Sequence, residues 1–412
     1  MSFLATVGMA LSLLQYAPPK DVWTEFRGPN GTGIVADTTV PTAWSETQNI
    51  KWKTPIPGKG WSSPVVWGNQ LWMTSATDDG KKMFVYCIDK QTGKVLHDRL
   101  LFENTATEPI HDLNSYASPT PVIEEGRVVV HFGTYGTACL DTRTFKKIWH
   151  RRDLTCQHSV GPGSSPIIYE DKVILTFDAI DVQYLIALNK RTGDTLWKTP
   201  RSTDLSRVSK EERKAFSTPI ITQVNGQPML ITASAQADYA YDPRDGREIF
   251  QFRNHGFSSS CRPIVAFGMV FMNVAFGENN GLQAARLDGQ GDVTNTHVVW
   301  KYGRGVPNKP SMLLIDDLLY MVSDSGIMSC LEAKTGKPLW NERLGGAFSA
   351  SPICIGGIIY LCDERGVCYV VKPGRVFQKI GENQLENGCM ATPAVSGKAL
   401  FVRTKTHLYR IE

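Results

Sequence analysis

The fold is decided by residues 330–340, which read Cys330-Leu331-Glu332-Ala333-Lys334-Thr335-Gly336-Lys337-Pro338-Leu339-Trp340. Cys330-Leu331-Glu332 reads as the end of one strand and Lys337 to Trp340 as the start of the next. Between them Gly336 supplies the positive φ of a short hairpin turn. An acidic side chain before such a turn can accept hydrogen bonds from the turn amides. The Trp offers a flat face to a neighbouring element.

The pattern recurs from Cys87 to Lys94, from Ala187 to Trp197 and from Ala240 to Phe250, with weaker copies from Cys139 to Trp149 and from Cys368 to Phe377. A second landmark precedes each copy: a Ser or Thr, a Pro, then apolar residues. It falls at Pro64, Pro121, Pro166, Pro219, Pro263, Pro352 and Pro393, with Arg262 before Pro263. A copy without the aligned Pro falls at Met312. Steps of 40 to 57 residues between these positions match four-stranded propeller blades. The last repeat (Ala394–Ser396, Ala399–Arg403, His407–Ile411) has room for three strands only. Trp52 lies 12 residues before Pro64, as Trp340 does before Pro352, so residues 49–53 are expected to supply the missing outer strand and close the ring. The expectation is an all-β, eight-bladed propeller over residues 21–412, with blades starting near 62, 119, 164, 217, 261, 310, 350 and 391. The stretch Ser209-x-x-Glu212 reads as a capping box opening one short helix.

Composition bounds the function. The net charge of +4 comes without a basic run, so nucleic acid is not an expected partner. Residues 1–20 read as a signal-like or disordered N-terminus. An apolar run, Phe3–Leu14, is followed by Pro18-Pro19, although no Lys or Arg precedes it and Gln15 fits a cleavage site at Ala17 poorly. Export to the periplasm or cell envelope is the expectation, with a cytoplasmic location as the alternative. Of the nine Cys, Cys87, Cys139, Cys330 and Cys368 are assigned to one small buried position, which Ala187 and Ala240 fill in other copies. Cys354, Cys362 and Cys368 fall on neighbouring strands, which leaves room for one cross-strand disulfide.

The Ala187–Trp197 and Cys330–Trp340 copies resemble the docking motif of the PQQ-like β-propeller repeat proteins. The resemblance covers about residues 21–412. Phe26-Arg27-Gly28-Pro29, Tyr116 to Pro121, and Arg343 to Gly346 through Ser351-Pro352 are similar to a bacterial subgroup of that family. The resemblance implies the propeller fold and two kinds of function: quinone-dependent dehydrogenases, and a scaffold lipoprotein of outer-membrane barrel assembly. PQQ with calcium is implied by the first kind alone. Here no Cys-Cys pair is present and no carboxylate cluster for calcium can be assigned. The assembly lipoprotein carries a lipidated N-terminal Cys, whereas the first Cys here is Cys87.

A propeller's ligand site is usually the channel mouth, built by the loops entering each innermost strand and those joining the second and third strands. Those loops nominate Trp61, His111, Tyr116, His158, His255, Phe257, Arg262, Lys309 and Phe348. His111, His158 and His255 are candidate metal ligands, or one of them pairs with Tyr116 as base and acid. Against this, loop His residues bonded to backbone on separate blades would look the same. The aromatic and basic character suits a saccharide, quinone or peptide chain, or simply fills the channel. The expected function is a non-catalytic binding or scaffold propeller, monomeric, holding a protein or saccharide ligand, within reach of a membrane-associated complex. The alternative is an enzyme, either a PQQ-dependent oxidoreductase or a saccharide-active lyase or hydrolase.

Overall fold

A computed structural model describes residues 21–277 and 280–412. The signal-like segment 1–20 lies outside the described residues. Eight antiparallel sheets form the ring, and the only helical pieces among the described residues are 3-10 turns such as Lys210–Arg213. Blade 6 has the strands Leu313–Ile315, Leu318–Val322, Ile327–Glu332 and Pro338–Arg343. In blade 8 the strands Ala394–Ser396, Ala399–Arg403 and His407–Ile411 are completed by Ile50–Pro55, with Trp52 opposite Arg410. The N-terminal strand therefore closes the ring. Two blades carry a fifth strand: Gly291–Asp292 runs parallel beside Glu248–Arg253 of blade 4, and Ile34–Val35 beside Ile353–Ile355 of blade 7.

The repeated turn joins neighbouring blades. The Trp52 indole N–H donates to the Lys90 carbonyl, Trp149 to Lys190, Trp197 to Pro243, Trp300 to Ala333 and Trp340 to Gly374, at 3.0–3.3 Å. Each of the first four indoles lies flat on the turn glycine of the next blade. A Cβ on Gly93, Gly193, Gly246 or Gly336 would fall 2.6–2.8 Å from the ring. Glycine is thus required twice over, for its φ near +75 and for the close approach. The turn carboxylates act as expected: Asp89 Oδ1 accepts from the amides of Gln91 and Thr92.

Around the channel a second set of links joins the blades. The Ser63 amide donates to Thr120 Oγ1 of the next blade, Thr120 to Ser165, and Ser165 to Thr218. The chain resumes with Arg262 to Ser311, Ser311 to Ser351 and Ser351 to Thr392, every bond 2.9–3.0 Å long. Residues 21–44 cross one end of the ring. Trp23 exchanges backbone bonds with Val66 in blade 1, the Thr24 carbonyl accepts from Ile123 in blade 2, and the Gly33 carbonyl accepts from Cys354 in blade 7. Midway, Arg262 donates to the Phe26 carbonyl (2.6 Å) and to Glu25 (2.9 Å). Gly28 has φ +73 and packs under the Trp23 ring, which accounts for the Phe-Arg-Gly-Pro motif.

Two expectations are corrected. Ser209 makes no side-chain cap, and the residues after it, Lys210–Arg213, form a single 3-10 turn. Cys368 is not equivalent to Cys330. The β-bulge that comes after Cys330 in blade 6 comes after Val370 in blade 7, so Val370 holds that place. Cys368 instead faces Cys362 across the hairpin and forms a disulfide with it.

The hydroxyl links have a measurable consequence. Thr120→Val keeps the side-chain shape but leaves the buried Ser63 amide without its acceptor. It is expected to cost about 1–3 kcal/mol, read as a lower urea midpoint at unchanged m-value with faster amide exchange at Ser63. A midpoint equal to wild type would show that the link contributes nothing to stability.

Candidate functional site

Opposite the end crossed by residues 21–44, the channel opens into a cavity of about 550 Å³ to which all eight blades contribute. Its wall is the hydroxyl ring: Ser63, Thr120, Ser165, Thr218, Ser351 and Thr392. Each is at most 3% exposed. The Oγ of Thr120, Ser165, Thr218, Ser351 and Thr392 accepts a backbone N–H from the blade before, so its proton is left to point elsewhere. Phe26 forms the floor, so the crossing segment makes the channel a cup rather than a pore.

The rim is aromatic. Phe257 and Phe276 stack at 5.7 Å on a two-stranded ribbon, Gly256–Phe257 with Phe276–Gly277. Trp61 is tied by its indole N–H to the Leu113 carbonyl, with the Lys59 ammonium 5.5 Å from its ring centroid. Phe216 completes the set against Gly163. The charges at the rim are already engaged. Lys309 donates to Glu364 at 2.9 Å, and Lys214 to Glu211 at 2.6 Å. Asp324 accepts the amides of Asn308 and Lys309 at 2.9 and 3.1 Å.

The nine candidates separate by where their side chains lie. Trp61, His111, Phe257 and Lys309 line the cavity; the other five do not. Tyr116 is buried over Gly80 with its hydroxyl on the Glu108 carbonyl. Phe348 is fully buried against Tyr369. Arg262 is 2% exposed and holds the crossing segment. His255 is exposed, away from the cavity lining. His158 accepts the Thr134 amide on Nε2 at 3.0 Å, with Cys156 Sγ 3.3 Å away. Among the described residues His111, His158 and His255 do not come within ligating distance of one another, so they form no metal site. Nor does Tyr116 pair with one of them: it is spent on a backbone carbonyl, and His111 Nδ1 accepts the Leu113 amide.

Sequence reasoning missed the hydroxyl ring, Phe26, Lys214 and Phe276. The ring was visible as the recurrent Ser or Thr before Pro; the other three carry no repeat signal.

The cavity offers apolar and hydroxyl surface and few titratable groups. The cavity's one carboxylate, Asp324, is held by the amides of Asn308 and Lys309. The donor set for a calcium-bound quinone does not fit. Apart from three cysteines, no group of three His, Cys, Asp or Glu side chains converges among the described residues.

The family model described as Outer membrane protein assembly factor BamB, a PQQ-like repeat model, matches residues 36–237 and 183–412. The chain belongs to this family. A curated relative, the outer membrane protein assembly factor BamB of Legionella pneumophila (strain Paris), is 26% identical over 113 residues, which are 27% of this chain and 29% of that protein. The chain thus aligns with under a third of that relative's length. Two solved structures share the fold. BamB from Moraxella catarrhalis has a TM-score of 0.61 at 13% identity, covering 88% of this chain and 99% of that one. A europium-containing methanol dehydrogenase has a TM-score of 0.66 at 12% identity, covering 93% and 89%.

A pH-sensitive group, His158, lies behind the cavity lining, on the Thr134 amide. Burial holds the His158 imidazole down to about 4, against 6.5 for a free histidine. A depressed folded pKa means its contribution is complete above pH 6.5 and is lost as pH falls toward 4, by up to about 3 kcal/mol. Denaturant melts of wild type and His158→Gln between pH 7 and 4 should converge as pH falls. Parallel curves would refute the assignment.

Proposed function

We propose that residues 21–412 work as one non-catalytic binding propeller of the cell envelope, holding an extended segment of a protein partner at the channel mouth. The observation that carries this is the cup itself: closed at the floor by Phe26, rimmed by Trp61, Phe216, Phe257 and Phe276, and with its lysines already paired. Such a surface rewards apolar and aromatic side chains, and hydroxyl protons on the wall suit peptide carbonyls. An extended chain that alternates apolar and polar residues places every second side chain on one face, as a rim of this kind requires. The family supports the same reading, since its model and this chain's curated relative bear the name of an outer-membrane assembly factor. No helix among the described residues is long and apolar enough to cross a membrane. A saccharide has no support beyond the aromatic rim and is not proposed.

The enzymatic reading rests on the fold shared with the methanol dehydrogenase. The lack of a converging carboxylate set among the described residues disfavours it.

A labelled synthetic peptide alternating aromatic with Ser and Thr residues tests the proposal by fluorescence anisotropy. Saturable binding is expected, and Trp61→Ala or Phe257→Ala should weaken it by about tenfold or more, the size of a truncated aromatic anchor. Binding unaltered by either substitution would move the site away from the mouth. In a parallel arm the chain is incubated with the quinone and Ca²⁺. Dye-linked alcohol oxidation there would establish the enzyme reading instead.

A further inference from the structure

Three cysteines meet behind the mouth wall between blades 7 and 8. Cys362 ends the strand Ile358–Cys362, and Cys368 faces it from Val367–Lys372. These two form the disulfide. Cys389 comes from the segment leading into blade 8, where its amide donates to the Asp363 carbonyl at 3.1 Å. The three sulfurs all lie within 4.8 Å of one another, and each residue is at most 1% exposed. The other six cysteines, Cys87, Cys139, Cys156, Cys261, Cys330 and Cys354, are buried thiols that join no such group. Packing a small side chain explains one buried Cys. The disulfide explains two, and neither explains why the third sulfur, Cys389 from the next blade, converges on that pair.

We propose that, once the disulfide is reduced, Cys362, Cys368 and Cys389 form a three-sulfur site for a soft monovalent cation, Cu(I). Reduction takes two electrons and two protons from a dithiol, which becomes a disulfide, and leaves Cys362 and Cys368 as thiols. Cu(I) then displaces thiol protons to water, and no further electron moves.

The choice of metal comes from the donors. All are sulfur, which selects soft ions. Ligands about 2.3 Å from a shared metal stand roughly 4 Å apart in a trigonal set; the three sulfurs already lie within 4.8 Å, and reduction frees Cys362 and Cys368 to part to that spacing. Structural zinc requires a fourth ligand, and the adjacent carboxylate is not free to be one. Asp363 Oδ1 accepts the amides of Arg365 and Val367, and its Oδ2 accepts the Arg365 guanidinium at 2.7 Å. The site also adjoins the cup. The turn between Cys362 and Cys368 carries Glu364, the partner of Lys309, and Met390 next to Cys389 lines the cavity.

The test uses the whole chain, reduced with a phosphine, transferred without oxygen and titrated with Cu(I) against a chelating competitor. One Cu(I) per chain is expected, with a near-ultraviolet thiolate-to-copper band and three sulfur neighbours at about 2.3 Å by X-ray absorption. The unreduced chain should take up none. Cys389→Ser should lower the affinity about a hundredfold, while Cys330→Ala, which removes an isolated buried thiol, should leave it unchanged. No uptake by the reduced chain, fewer than three sulfur neighbours, or wild-type affinity in Cys389→Ser overturns the proposal. X-ray absorption is read on the unsubstituted chain, so it decides even where Cys389→Ser fails to fold.

Discussion

The ring depends on a hand-off of backbone amides to hydroxyls around the channel. The innermost strands are short, three residues in every blade but blade 4, and each is preceded by a residue whose amide has no strand partner. A buried amide without an acceptor costs as much as a lost hydrogen bond. The side chain at the same position of the next blade supplies the acceptor: Thr120 for Ser63, Ser165 for Thr120, and so on to Thr392. Serine and threonine reach this amide because their oxygen sits on Cβ. The Pro next in sequence in most blades removes a second amide that would also have needed a partner.

A second ring lies outside the first and works by a different force. There the link is an indole laid on a glycine, with the indole N–H on a turn carbonyl. The inner ring satisfies polar groups; the outer ring buries area. Each joins a blade only to its neighbour, which makes the architecture a repeat closed on itself. Closure then needs one element from the far end of the chain, and Ile50–Pro55 provides it with Trp52 in the register of every other docking Trp.

These neighbour-to-neighbour rules make the fold legible. The strands of blade 8 and the register of Trp52 can be read from spacing, because spacing is what the two rings impose. Blade 7 is the exception, misaligned by two residues. Its outer strand lacks the Trp, and Cys368 resembles the small residue that Val370 replaces. The site is far less legible. Position in a mouth loop selects Tyr116, His158 and Phe348 as well as Trp61 and Phe257, and only the direction of each side chain separates the packing residues from the lining. Spacing cannot show which way a loop side chain turns. The hydroxyl wall is in plain view but recurs in nearly every blade, so it reads as architecture, though it is also the surface a ligand meets.

Blade 5 joins architecture to function. Arg262 stands where seven blades carry Ser or Thr, so the Thr218 amide finds no hydroxyl there and the inner ring is interrupted. The guanidinium takes up the space. Its Nε donates to the Pro219 carbonyl of blade 4, its Nη1 to Phe26 and its Nη2 to Glu25. One departure from the repeat therefore does two things: it bridges blades 4 and 5 by another route and anchors the segment whose Phe26 closes the cup. With a hydroxyl in blade 5 the inner ring would be more regular, but Glu25 would be left without its cation and Phe26 without its bond. The channel would then lose one of the contacts that hold its floor in place. In a repeat protein the position that breaks the rule is the one to examine first, and here it leads from the sequence to the bottom of the cavity.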